Sequence, residues 1–187
     1  MLEKLPVQVG HALRRARAGL QSIASHSDAL APVPATIQLA SPAFVDGAMM
    51  PSRFTADGIG TSPPLVWTTV PGARSVALLV EDADSPTPRP LVHAIAWQLS
   101  PVLDRLEEGE LRTSQPHPSL GLTSYLKPGW LPPDPPPGHG PHRYAFQLFA
   151  LDHDPDLGEH PGRRALLAAL RGHTLARGLL IGLYERD

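Results

Sequence analysis

Beyond residue 36, hydrophobic residues come in short runs that end at acidic, proline-rich or glycine-rich segments. The most continuous runs are SVALLVED (75–82), LVHAIAWQL (91–99), YAFQLFALD (144–152) and GLLIGLYER (178–186). Apolar runs of this length are typical of strands that are buried on both faces. TIQL (36–39) predicts one more strand, while proline and glycine divide segment 41–67 into loops with brief strands.

Helical spacing of apolar residues occurs near both ends of the chain. Residues 2–26 predict a helix that is broken near Gly10, because apolar positions recur every three or four residues at Leu13, Ala16, Leu20 and Ile23. This arm is expected to pack on its own domain or on a second subunit, with binding to a membrane surface as an alternative. Residues 163–178 predict a helix or two that end at Gly178.

The order of these elements bounds the fold class and the domains. Many strands, then a helix and a last strand, exclude the alternating pattern of a parallel, doubly wound sheet. Residues 27–35 (SDALAPVPA) are proline-containing and polar, which is typical of a linker. We therefore expect a helical arm and linker over residues 1–35 and a β-rich domain over residues 36–187.

Composition excludes several classes of function. The chain has no cysteine, so disulfides, cysteine-ligated zinc, iron–sulfur clusters and a thiol nucleophile are ruled out. A net charge of -2 provides no attraction for nucleic acid. No apolar run approaches the ~18 residues of a membrane span, and the N-terminus lacks the apolar centre of a signal peptide. A cytoplasmic protein is expected.

Polar side chains lie where three of the predicted strands begin or end. Asp82 and Asp84 follow the strand over 75–82, and His93 lies near the start of the strand over 91–99. His142, Arg143 and Tyr144 stand where the strand over 144–152 begins. Such strand ends can converge on one cleft that holds carboxylates, imidazoles and a phenol.

The segments around these residues resemble the phosphatidylethanolamine-binding protein family. EDADSP followed by LVHAIAW is similar to the family's first motif, and GPHRYAFQLFALD is similar to its second. TSPPLVW (61–67) and SPAF with the following DG (41–47) resemble the bacterial branch, which includes the Raf kinase inhibitor-like proteins. The resemblance covers residues 37–186 and leaves out the arm.

The resemblance implies a mostly β fold, with a central antiparallel sheet packed on a second, smaller sheet, a C-terminal helix and, here, an N-terminal helical arm. Carried over by position, the ligand-binding residues are Asp82, Asp84, His93, Pro132, Pro133, His142 and Tyr144. The sequence departs from the family at Ala83, where a proline is usual, and at Leu91, where an aromatic residue is usual. It also lacks a cysteine that is common in the bacterial proline-rich wall.

The function that the resemblance implies is binding of a small anion: phosphate, a phosphorylated lipid headgroup or a carboxylate. No cofactor, no metal ion and no catalytic residue are expected, because no set of nucleophile, base and orienting group is evident. One alternative is a protein-interaction module that inhibits a kinase or a protease. Another is a metal-dependent hydrolase, since Asp82 and Asp84 would point the same way on an extended segment, although H-E-x-x-H or a comparable spacing is missing.

Two further expectations concern the pocket and the arm. We expect Asp82 to accept a hydrogen bond from His93 or His142, so that the other ring nitrogen and Tyr144 face the anion and affinity rises as the pH falls from about 8 to 6. Each residue also has a structural alternative, such as Asp84 capping a turn or Arg143 pairing with a structural carboxylate. The apolar face of the arm predicts a homodimer, because a short helix does not fold alone.

Overall fold

Nine strands form two sheets in the computed structural model, which describes residues 6–113 and 118–186. In chain order, β1 to β9 are Leu39–Ala40, Ala48–Met49, Leu65–Trp67, Ser75–Asp82, Leu91–Leu99, Arg105–Leu106, Ser119–Leu120, His142–Leu151 and Thr174–Tyr184. The two α-helices among these residues are α1 (Val7–Leu13) and α2 (Arg163–Leu170). Neither has the length and apolarity that crossing a membrane requires.

The larger sheet has the strand order β2–β9–β8–β4–β5–β7, and the smaller sheet has the order β1–β3–β6. Neighbouring strands are antiparallel throughout, except that β2 runs parallel to β9. The expected architecture, a central antiparallel sheet with a second, smaller one, is confirmed. The strands predicted over 75–82 and 91–99 coincide with β4 and β5.

The central strands are apolar at nearly every position because both faces of the larger sheet are covered. All eight residues of β4 are buried, as expected for an interior strand. One face packs against the smaller sheet, and its core includes Leu65, Leu78 and Phe146. The opposite face packs against α2 and the end of the arm through a second core.

The arm is helical over a shorter range than the predicted 2–26. Among the described residues α1 ends at Leu13, and the chain continues into two 3₁₀ turns, Leu20–Ser22 and Ala24–His26. Backbone groups that a longer helix would pair internally bond to the domain instead, as the Ala18 amide does with the Ser85 carbonyl. Gly10 lies inside α1 and does not break it, whereas residues 2–5 lie outside the described residues.

The segment predicted as a linker packs against the domain. Leu30 is buried in the second core, with Val33 packed against it. The Arg177 guanidinium donates to the carbonyl oxygens of Val33 and Ala31. Residues 27–35 therefore follow the outer face of the larger sheet.

The helix predicted over 163–178 is correct only in its first half. α2 ends at Leu170, and β9 begins at Thr174. Gly172 has a φ of 77°, a conformation that suits glycine just after a helix. Residues 174–178 then pair with β8, which places Gly178 opposite Leu148. Pairing with a strand distant in sequence thus overrides a local helical pattern.

Candidate functional site

A cavity of about 270 Å³ opens where β4 ends, β5 begins and β8 begins. Its wall is largely apolar and rich in proline, with a few polar groups at the strand ends. The lining residues are Ala56, Asp82, Ser85, Pro86, Leu91, His93, Tyr125, Leu131, Pro132, Asp134, Pro135, Pro136 and His142.

A β-bulge directs His93 towards this cavity. Val80 pairs with Ala94 and Glu81 pairs with Val92, so His93 is an extra residue in β5. Its ring contacts Tyr144 edge-on, with centroids 5.0 Å apart, whereas Ile95 and Trp97 pack in the core on the other side of the sheet. Simple alternation along β5 would place all three on one face, and the bulge is the reason that it does not.

The hydrogen bonds of His93 define its protonation. Nδ1 lies 2.7 Å from the carbonyl oxygen of Leu131, which can only accept, so Nδ1 carries the hydrogen. Burial lowers the pKa of His93, and the negative charge of Asp82 only partly opposes this effect. In the neutral ring Nε2 is a bare acceptor, and this buried atom has no hydrogen-bond partner among the described residues.

A chain of hydrogen bonds runs from Asp82 to the arm, and we name it the Asp82 relay. Asp82 Oδ2 lies 2.8 Å from His142 Nδ1, and His142 Nε2 lies 2.7 Å from His139 Nδ1. His139 Nε2 lies 2.8 Å from the Leu13 carbonyl oxygen. Both ring nitrogens of His142 are therefore engaged, and the expectation that one of them faces the ligand does not hold for this residue.

The Asp82 relay contains three hydrogens, one for each of its contacts. Because the Leu13 carbonyl accepts, His139 must carry a hydrogen on Nε2, and each of the other two contacts needs one hydrogen as well. One carboxylate and two imidazoles that share these hydrogens have no net charge. Burial, and then the charge of His142, lower the pKa of His139.

Asp84 lies away from the cavity in an ion-pair cluster that we name the Asp84 clamp. A turn at residues 83–84 separates its side chain from that of Asp82, so the two carboxylates do not point the same way. Arg143 binds Asp84 through two guanidinium nitrogens at 2.7 and 2.6 Å, and Arg17 binds it at 3.0 Å. Burial by itself would raise the pKa of Asp84, but the hydrogen bonds from Arg143 and Arg17 outweigh it and lower the pKa to about 2.

The chain is similar to known proteins over most of its length. The family model described as phosphatidylethanolamine-binding protein matches residues 40–185. The chain belongs to this family. Its relatives include a UPF0098 protein of Chlamydia muridarum, 37% identical over 156 residues that cover 81% of this chain and 100% of the relative. A UPF0098 protein of Methanothermobacter thermautotrophicus is 38% identical over 152 residues, which cover 80% of this chain and 99% of that one.

Two solved structures have the same fold. A crystal structure described as that of a phosphatidylethanolamine-binding protein homologue from Chlamydia trachomatis is 36% identical, covers 81% of this chain and 98% of that chain, and has a TM-score of 0.75. Escherichia coli YbcL, at 24% identity, covers 82% of this chain and 100% of its own, also with a TM-score of 0.75. The latter likeness shows the fold alone.

Tyr144, Pro132 and Pro133 are the remaining residues that the resemblance to the phosphatidylethanolamine-binding protein family predicts as ligand-binding. Tyr144 is fully buried between the rings of His93 and His142, and its hydroxyl has no hydrogen-bond partner among the described residues. Burial, and then the charge of Asp82, raise its pKa well above the usual value, so the hydroxyl keeps its hydrogen. Pro132 lines the cavity, while Pro133 does not and accepts a hydrogen bond from the Ala56 amide.

Sequence reasoning missed two polar residues. His139 joins the Asp82 relay, and its only signal in the sequence is a second histidine three residues before His142. Asp134 lines the cavity and is bound by Arg186 at 2.7 Å. Arg186 lies at the far end of the chain, and local patterns do not indicate such a pair.

The arm lies outside the family match, yet it contacts loops that lie next to residues lining the cavity. Arg17 donates to the carbonyl oxygens of Pro141 and His139, and the Gly19 amide donates to Ala83. A Cβ at Gly10 would collide with the carbonyl of Pro137, so α1 approaches the proline-rich loop closely. The arm thus contacts both loops that carry the cavity's polar residues.

Proposed function

We propose that the cavity binds a small phosphorylated ligand, such as the phosphoethanolamine headgroup of a lipid or a free phosphate monoester. The single observation that carries this proposal is the bare, buried Nε2 of His93. Whatever atom sits against it must bring a hydrogen, or a proton must enter with the ligand.

Phosphate monoesters meet this requirement near neutral pH. Their second pKa is about 6, so a fraction carries one hydrogen at pH 7, whereas carboxylic acids with a pKa of about 4 do not. The P–OH group can donate to His93 Nε2 while the other oxygens accept from Tyr144 and loop amides. If the proton moves to the imidazole, the total charge of the complex stays the same.

The two carboxylates that line the cavity do not prevent this. Asp82 accepts from the Asp84 amide at one oxygen and contacts His142 at the other, and Asp134 is bound by Arg186. Both negative charges are therefore balanced by neighbouring donors before a ligand arrives. The apolar wall of Leu91, Leu131 and the prolines then lowers the local dielectric, which strengthens the remaining polar contacts.

The size of the cavity favours a headgroup over a whole lipid. Its volume of about 270 Å³ is slightly below the roughly 300–1,000 Å³ that is typical of small-molecule sites. A lipid would leave its acyl chains outside, in a membrane. Soluble phosphoethanolamine and vesicles that contain phosphatidylethanolamine therefore distinguish a free ligand from a membrane-borne one.

Calorimetric titration with phosphoethanolamine, inorganic phosphate, sulfate and acetate between pH 6 and 8 tests the proposal. Affinity for the two phosphates should rise as the pH falls, because more ligand or more His93 carries the required hydrogen. Sulfate and acetate carry no hydrogen at pH 7, so both should bind more weakly than phosphate at that pH. His93→Ala and Tyr144→Phe should each lose at least tenfold in affinity.

Tyr184→Phe is the matched control, since the Tyr184 hydroxyl already donates to Asp57, whereas the Tyr144 hydroxyl has no hydrogen-bond partner among the described residues. Phosphate affinity that is flat across pH 6–8, or a His93→Ala variant that binds like the parent, would show that His93 is a structural residue. If the protein instead has stable protein partners that still bind the His93→Ala and Tyr144→Phe variants, the alternative of a protein-interaction module is favoured.

We also propose that the protein acts in the cytoplasm as a homodimer. The absence of cysteine suits a reducing compartment. Val7, Val9 and Leu13 of α1 remain 40%, 37% and 36% exposed, and a second copy would cover them. Light scattering on the full-length protein at high micromolar concentration should report a dimer, and a monomer there would overturn this part of the proposal.

A further inference from the structure

A second cluster of titratable side chains lies at the opposite end of β8 from the cavity. Asp152 and His153 directly follow β8, and His173 directly precedes β9. Because β8 has 10 residues and a strand rises ~3.4 Å per residue, this cluster is on the order of 30 Å from His142. The pocket does not use it, and His173 is too far from Asp152 and His153 in sequence for the three to form a local motif.

The distances within the cluster match those between the ligands of a metal ion. His173 Nδ1 makes a hydrogen bond of 2.9 Å to Asp152 Oδ1, and His153 Nδ1 lies 3.4 Å from the same oxygen. In tetrahedral zinc sites with bonds of about 2.0–2.1 Å, neighbouring donor atoms are about 3.3 Å apart. All three ligand atoms lie within 4.8 Å of one another.

One atom of the cluster lacks a partner of its own. His153 Nδ1 is shielded from solvent and makes no hydrogen bond to the described residues, although it lies 3.4 Å from Asp152 Oδ1. A buried polar atom without a partner costs free energy and calls for an explanation. A bound cation would accept the lone pair of this nitrogen.

We propose that Asp152, His153 and His173 bind a divalent transition-metal ion, with Zn²⁺ as the best match. Two imidazoles and one carboxylate suit zinc and its neighbours, whereas Mg²⁺ and Ca²⁺ prefer sites made of oxygen alone. The three side chains are one-third to one-half exposed, so an ion reaches them from solution and water completes its coordination.

The position of the cluster indicates what the ion does. Asp152 and His173 are the two ends of the segment between β8 and β9 that contains α2. The Asp152 amide donates a hydrogen bond to the His173 carbonyl. α2 covers the outer face of the larger sheet through Leu166 and Leu170. An ion that joins both ends closes this loop and lowers the entropy that the chain regains when α2 detaches.

Calorimetric titration of untagged, chelator-treated full-length protein with ZnCl₂ at pH 7.5 tests the proposal. One ion per chain should bind, and the melting temperature should rise with ZnCl₂ but not with MgCl₂. Asp152→Asn and His173→Ala should each weaken Zn²⁺ binding at least tenfold. Affinity should also fall between pH 7.5 and 5.5, because protons compete for the imidazoles.

His26→Ala is the matched control, since His26 is an exposed histidine elsewhere on the surface and should leave Zn²⁺ binding unchanged. His173 is half exposed, so its substitution should not unfold the protein even if a change at His153 does. The proposal is overturned if no Zn²⁺ binds, or if the affinity in His173→Ala and Asp152→Asn equals that of the parent.

Discussion

The Asp82 relay and the Asp84 clamp begin two residues apart and use their carboxylates in opposite ways. Asp84 is held by two guanidinium groups that are always charged, and its pKa of about 2 keeps it ionised. Asp82 contacts a histidine whose hydrogens can move along a chain to His139. The same turn thus carries a fixed ion pair at Asp84 and a chain of hydrogen-bonded histidines that starts at Asp82 beside the cavity.

The arm contributes to both clusters. Arg17 completes the Asp84 clamp, and the Leu13 carbonyl ends the Asp82 relay. Residues that lie outside the family match therefore determine how the loops within the match are held. The contrast to test is that loss of the Asp84 clamp affects folding, whereas loss of the Asp82 relay affects the pH response of binding.

The largest expected effect follows from Asp84→Asn. The substitution leaves Arg143 and Arg17 without their shared anion, and removing one partner of a buried ion pair typically costs about 3–5 kcal/mol. Both arginines are partly exposed, at 38% and 26%, so we expect a loss of about 2–4 kcal/mol in the free energy of unfolding. Denaturant unfolding monitored by circular dichroism measures it.

Asp104→Asn is the control for this substitution. Asp104 pairs with Arg105 on the surface, where both side chains are more than half exposed, and no measurable change is expected. Equal losses in the two variants would show that the Asp84 clamp adds nothing beyond a surface pair.

Acid should remove the same contribution in the parent. The pKa of Asp84 is lower in the folded protein than in the unfolded chain, so the stabilisation is complete above pH 4 and is lost as the pH falls towards 2. A pKa of about 2, against an ordinary value of 3.8, corresponds to about 2 kcal/mol. The difference in unfolding free energy between the parent and Asp84→Asn should shrink by about this amount between pH 5 and 2, and a constant difference would contradict it.

Arg17→Ala should have a smaller effect, about 1–2 kcal/mol, because Arg143 still neutralises Asp84. The variant also loses two hydrogen bonds to the loop that carries His139. Hydrogen exchange should therefore accelerate at the amides of Ala18 and Gly19, which bond to the loop after β4. Arg15→Ala, two residues away and exposed, should leave exchange unchanged.

Local patterns predict the strands well because burial on both faces determines their composition. β4 and β5 were predicted with their observed bounds, since each is an apolar run that ends at polar or proline residues. The polar residues at the ends of these strands can be predicted for the same reason, because a charged side chain next to a buried strand is costly unless it is paired or hydrogen-bonded.

Features that depend on distant partners could not be predicted in this way. The bulge at His93 exists only through pairing with β4, and the arm departs from a helix because its backbone bonds to loops far along the chain. The division of labour between Asp82 and Asp84 depends on Arg17 and His139, which approach from separate segments. The sequence of EDADSP by itself does not indicate a contact with Arg17 or with His139.

The smallest expected effect on stability, and the sharpest test of the comparison, is Asp82→Asn. The asparagine Oδ1 can still accept from the Asp84 amide, and its Nδ2 can donate to His142 Nδ1. His142 then carries its hydrogen on Nε2 and donates to His139, so every contact stays satisfied and the loss should remain below about 1 kcal/mol. In the parent, the three contacts of the Asp82 relay share three hydrogens, and loss of one of them would make the relay negative, which would repel an anion. The variant has no such hydrogen to lose, so the affinity for phosphoethanolamine should vary less between pH 6 and 8 than in the parent, when both are titrated by calorimetry. An equally steep profile would mean that the relay takes no part in binding, and a loss of stability as large as that of Asp84→Asn would mean that both carboxylates serve the fold alone.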